Sequence, residues 1–151
     1  MKILGEKGLG KILKIILIIA FIIAIPTIIL LPITMNYKIS SMVIIYPNGI
    51  LMLLFTYQFI KMFKSLEENN PFTFNNVKLL KKSGYISLIL SFMWLIDLLY
   101  LIFILHNTYF NYILVLTFLI ILFFGVFIAL YIISELIREA TIYKEENDLT
   151  I

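Results

Sequence analysis

Four long apolar runs separated by short polar stretches organise the chain. After Lys11 and Lys14 the first, IILIIAFIIAIPTIILLPITM, continues to Met35 without a charge, and a helix that spans a bilayer needs roughly 20 apolar residues. It is longer than the apolar region of a secretory signal peptide, roughly 7 to 15 residues, and no A-x-A-like cleavage site ends it. It is therefore read as a retained span over about 12–35. The second run lies between about Met42 and Phe63, and YPNG at 46–49 complicates its outer end. Proline is tolerated in a first helical turn, so regular helix is expected to begin as late as Pro47. The third run is Tyr85 to Leu105 and the fourth Tyr112 to Leu136. The turn HNTYFN between them is short enough to make these helices antiparallel neighbours. Residues 64–84 form a polar middle loop and 137–151 a charged tail.

The pattern predicts an all-α integral membrane bundle of four transmembrane helices forming one domain. Composition sharpens this, because 62% of the 151 residues are hydrophobic and 14% charged, against roughly 45 to 50% and about 25% in soluble domains. A small domain leaves much of its surface exposed and could not hide so much apolar area from water. The net charge of +3 would suit nucleic acid, but the basic residues stand just outside the apolar runs. Lys2, Lys7, Lys11 and Lys14 precede the first, Lys61, Lys64, Lys78, Lys81 and Lys82 surround the middle loop, and Arg138 and Lys144 follow the fourth. Only Lys38 lies on the other side. This asymmetry predicts a cell (inner) membrane protein with both termini and the middle loop in the cytoplasm. Tyr37, Tyr46, His106, Tyr109 and Tyr112 then fall near the outer interface. The absence of cysteine excludes disulfides, thiolate metal sites, a cysteine nucleophile and S-palmitoylation.

The middle loop, PFTFNNVKLLKKSGY, holds its own periodicity. A helical reading puts Val77, Leu80 and Gly84 on one stripe and Lys78, Lys81 and Lys82 on another, with Asn75 or Thr73 as the N-cap. Such a basic amphipathic helix can lie on anionic lipid headgroups and lead into the third span, or it can dock a cytoplasmic protein. The tail, SELIREATIYKEENDLTI, continues the fourth helix with Leu136, Ala140 and Tyr143 at helical spacing. Its other face carries Glu135, Arg138, Glu139 and Glu146. Basic loop and acidic tail either attract one another or form a composite partner site.

The stretch NPFTFNNVKLLKKSGY, together with the ending IREATIYKEENDLTI, resembles the bacterial four-span membrane family catalogued as domain of unknown function 2975. The shared features are Pro71 and Phe72, an Asn at 75 or 76, Lys78, Leu80, Lys81 and Lys82 followed by Gly84, and the acidic ending from Glu145 to Ile151. Lysines stand where members often carry arginine. The resemblance implies a regulatory or sensory membrane partner of a cytoplasmic protein, such as the small Cro-type helix-turn-helix regulator often encoded beside such proteins. Its candidate partner-binding residues here are Pro71, Phe72, Asn76, Lys78, Lys81, Lys82, Gly84, Glu145, Glu146 and Asp148.

Within the third run, FMWLIDLLY places Asp97 deep in the apolar stretch, where a carboxylate costs about 2.5 to 3.5 kcal/mol. Counting along the helices brings Pro26, Thr27 and Gly125 to its level, with no basic residue. Asp97 and Thr27 therefore form a candidate intramembrane polar site. It is either a proton- or cation-linked site or a protonated aspartate that ties helices together. Gly84, Ser87 and Ser91, and on the fourth run Gly125 and Ala129, have the small-residue spacing that allows close helix approach.

There is no H-E-x-x-H, no G-x-S-x-G, no phosphate-binding glycine loop and only one histidine, so enzyme activity, a cofactor and a bound metal are not expected. The expected partners are the lipid bilayer and a cytoplasmic regulator, with no direct nucleic-acid contact. The alternatives are a small transporter or channel subunit using the Asp97 carboxylate, and a purely structural or immunity role.

Overall fold

A computed structural model describes residues 8–34, 39–67, 71–103 and 110–148. These form four helices, α1 (Leu9–Thr34), α2 (Ile39–Glu67), α3 (Phe74–Phe103) and α4 (Phe110–Asp148), with no strand among the described residues. Three are long and apolar enough to cross a membrane, over Gly10–Leu30, Phe74–Phe103 and Phe110–Asn147. Helices are the expected answer in lipid, because each backbone N–H and C=O must find its partner within the segment. Large apolar side chains cover the outside: Ile16, Ile22, Phe92, Phe118, Ile121 and Ile132 are all more than half exposed. These surfaces mark a lipid environment.

The helices pack in chain order. α1 lies on α2, α2 on α3 and α3 on α4, and no other pair of helix backbones comes together among the described residues. α3 carries the main interface, with Val77, Leu80, Ser83, Gly84, Ser87, Leu90 and Ser91 buried in one stripe at helical spacing. Small side chains let α4 approach closely enough for hydroxyls to reach across. Ser87 Oγ donates to the Phe123 carbonyl at 2.7 Å and Ser91 Oγ to the Ile120 carbonyl at 3.0 Å. A Cβ on Gly84 would meet Phe127 and Leu130 at ordinary contact distance. Phe55 of α2 reaches over α3 to meet Phe123 edge-on, with ring centroids 6.4 Å apart.

Several expectations are corrected. Regular helix in the second run begins at Ile39 and contains Pro47 in its interior, where the missing N–H and the ring would break a helix in water; lipid, which offers no other partner to the neighbouring backbone, favours continued helix. The middle loop from 64 to 84 is mostly helix, since α2 runs to Glu67 and α3 starts at Phe74. The basic segment is therefore the first turns of α3, not a separate helix on the headgroups. Thr73 caps it, its Oγ1 accepting the Asn76 N–H at 3.2 Å. On α4, Gly125 faces open space and Ala129 is exposed, so these two do not form a helix contact. Leu136 and Tyr143 also point outward, being 64% and 65% exposed, while Leu130, Ser134 and Thr141 form the buried edge. His106, Lys38, Tyr37 and Tyr109 lie outside the described residues.

Candidate functional site

The most chemically distinct place lies where α1, α2 and α3 meet. A cavity of about 570 Å³ opens there, with Ala24 and Thr27 from α1, Asn48 and Gly49 from α2, and Trp94 and Asp97 from α3 among its walls. Helical spacing explains the α3 pair, since residues three apart share a face. Gly49 explains the close approach of α1, because a Cβ there would lie 2.7 Å from Ile28 Cγ2. None of the lining residues is basic.

Asn48 is 4% exposed, and its Nδ2 donates to Asp97 Oδ2 at 3.0 Å. This bond links α2 to α3. The other atoms of the cluster are left over: Asn48 Oδ1, Asp97 Oδ1 and Trp94 Nε1 are buried and have no hydrogen-bond partner among the described residues. Buried polar atoms are normally satisfied, and each one left unpaired costs about 1–3 kcal/mol. Thr27 lines the same cavity, but its hydroxyl donates back to the Ile23 carbonyl at 2.8 Å. Gly125, which a depth count puts level with Asp97, is on α4 and takes no part. Asn48 and Trp94 escape the sequence reading, Asn48 because proline and glycine beside it signal a turn. Trp94 carries a weak signal, standing three residues before Asp97.

The second cluster sits about 24 Å away along α3, at a rise of about 1.5 Å per residue. Lys81 Nζ meets Glu135 Oε1 at 2.7 Å, and Arg138 Nε meets the other oxygen of Glu135 at 2.7 Å. Arg138 also reaches Glu139 at 3.1 Å. The attraction between basic segment and acidic tail is thus realised through Lys81 and Glu135.

Of the motif residues in this region, Asn76 and Gly84 are buried and serve the fold. Asn76 is 1% exposed; its Nδ2 donates to Ser65 Oγ at 2.9 Å and to the Pro71 carbonyl at 2.8 Å, fastening the end of α2 to the start of α3. Phe72, Lys78 and Lys82 are exposed, and Pro71 and Lys81 are half-buried. Glu145 and Glu146 are exposed near the end of α4, while the side chain of Asp148 lies outside the described residues.

α4 outreaches its neighbour. From Lys81 to the start of α3 is about 10 Å, whereas from Glu135 to the end of α4 is about 20 Å. The last turns of α4 therefore stand clear of α3.

Residues 29–151 match a family model described as "Protein of unknown function (DUF2975)". The match takes in α2, α3 and α4 and the last turns of α1, and with them Asn48, Trp94 and Asp97. No curated protein and no solved structure matches the chain.

Proposed function

We propose, from the premise that the chain belongs to the DUF2975 family of proteins of unknown function, that it is a non-enzymatic regulatory or sensory protein of the bacterial inner membrane. In this reading it crosses the membrane four times, keeps both termini in the cytoplasm, and binds a small helix-turn-helix transcription regulator there. The position of α2 supports the fourth crossing. Its 29 residues extend about 44 Å, and it lies between α1 and α3, both long and apolar enough to span. A helix held between two crossing neighbours and joined to each through a few residues runs alongside them. The lysine bias then sets the side.

The observation that carries the docking role is the overhang of α4. Tyr143, Glu145 and Glu146 are exposed on helix that α3 no longer accompanies, with Phe72, Lys78 and Lys82 exposed at the nearby start of α3. The surface offers an aromatic residue flanked by both signs of charge. The test uses the protein in phosphatidylcholine nanodiscs and the purified regulator encoded beside it. Deleting residues 145–151, or introducing Lys78→Glu with Lys82→Glu, weakens binding by about tenfold or more, the scale of losing a charged contact in a partly desolvated interface. Equal binding by wild type and both variants removes the docking surface.

Asp97 at a cavity wall favours a second reading, a small transporter or channel subunit. Proteoliposome flux of protons or alkali cations that vanishes in Asp97→Asn would select it over the regulatory reading. Background flux in both forms would eliminate it.

A further inference from the structure

We infer that the cavity between α1, α2 and α3 is a binding site for an amphiphilic amine: a molecule with an apolar body and a protonated amine carrying a neighbouring hydroxyl. The inference stands apart from the docking role, since the site lies at the other end of α3, about 9 Å from its last described residue.

The polar wall selects the head group. Asp97 Oδ1 and Asn48 Oδ1 are two buried acceptors without partners, Trp94 Nε1 is one such donor, and all three residues line the cavity. An acyl chain of the surrounding lipid can satisfy none of them. A carboxylate in an apolar membrane interior needs a countercharge, and none of the lining residues is basic. An ammonium group donates to both acceptors and supplies that charge. A hydroxyl beside it accepts from Trp94 Nε1, completing the set.

Simpler occupants leave parts of the site unused. A bare metal ion prefers several oxygen ligands, and the cavity offers Asp97, Asn48 and a threonine already bonded to its own helix. A proton on Asp97 would neutralise the charge but leave Trp94 Nε1 unpaired and the apolar space unfilled. That space, about 570 Å³, lies in the range of roughly 300–1,000 Å³ that takes a drug-sized molecule. Its remaining walls include Ala20, Ile23, Ile28, Ile45 and Met52, suited to an alkyl body.

Trp94 is the only tryptophan of the chain, so its fluorescence reports this cavity alone. The full chain in phosphatidylcholine nanodiscs is titrated with N-dodecylethanolamine, and separately with ethylene glycol monododecyl ether, which keeps the chain and hydroxyl but replaces the amine with an ether oxygen. The expected result is a saturable change in Trp94 emission with the amine, and half-saturation by the ether at about tenfold higher concentration or more. Asp97→Asn, nearly isosteric, is expected to bring the two titrations together while its elution and helical content stay those of the wild type. Equal half-saturation of the wild type by amine and ether overturns the inference without need of any variant. So does a non-saturating change, which reports partition into lipid, or an amine affinity unchanged by Asp97→Asn in the folded protein.

Discussion

Single atoms decide how near α1 comes to α2 and how α2 is tied to α3. At Gly49 the space for a side chain is already taken by Ile28, 2.7 Å from where Cβ would be. Gly49→Ala is expected to destabilise the protein by about 1–3 kcal/mol, as overpacking does, and Ile28→Ala to restore most of the loss. Gly125→Ala is the control: nothing lies within 4 Å, so no loss is expected. Unfolding in mixed micelles of denaturing detergent measures all three. Asn76→Leu keeps the approximate volume but removes the donors to Ser65 Oγ and the Pro71 carbonyl, at a cost of about 1–3 kcal/mol. A change within experimental error would show those two bonds to be dispensable. Asp97 was legible in the sequence because a charge inside an apolar run stands out. Its partner was not, since YPNG has local turn chemistry that the membrane environment overrides, and a helix starting near Pro47 leaves Asn48 in its first turn.

At the level of the element, α3 shows what periodicity can and cannot deliver. The stripe of Val77, Leu80 and Gly84 is buried as its spacing implies, and Thr73, one of the two N-caps the pattern allowed, is the one used. Thr73→Ala should cost about 1 kcal/mol and loosen the first turn, visible as faster amide exchange at Asn76 and Val77. The continuity of α3 from the basic turns into the span was harder to read, because the change in composition near Tyr85 imitates a boundary while the backbone continues without a break. On α4 the same reasoning chose the wrong face, as Leu136 and Tyr143 are outward. In lipid an apolar stripe can be exposed, so hydrophobicity alone does not locate the partner helix. The Lys81–Glu135 pair links the two elements at 2.7 Å. Charge reversal by Lys81→Glu should weaken the contact, and adding Glu135→Lys should recover part of it, short of full recovery because Arg138 also binds Glu135. The recovered part should shrink at high salt. Failure of the double reversal to recover any stability would mean that this attraction contributes nothing measurable.

For the whole molecule, an absence of cysteine makes topology directly measurable. With single cysteines introduced at positions 81 and 112, a membrane-impermeant thiol reagent should reach position 112 in intact cells and position 81 only after permeabilisation. Labelling of position 81 from outside would reverse the orientation and put the proposed docking surface on the wrong face. The all-α architecture was legible from the length of the apolar runs. The order of packing was not, since four helices of similar character can close into a ring or line up in a row, and composition is indifferent between the two. They line up, so that α1 has one neighbour where α2 and α3 have two. The outermost wall of the Asp97 cavity is therefore attached along a single seam. It can swing away from α3 while the Asn48–Asp97 bond stays closed, giving a molecule dissolved in the bilayer a sideways door that needs no passage through water.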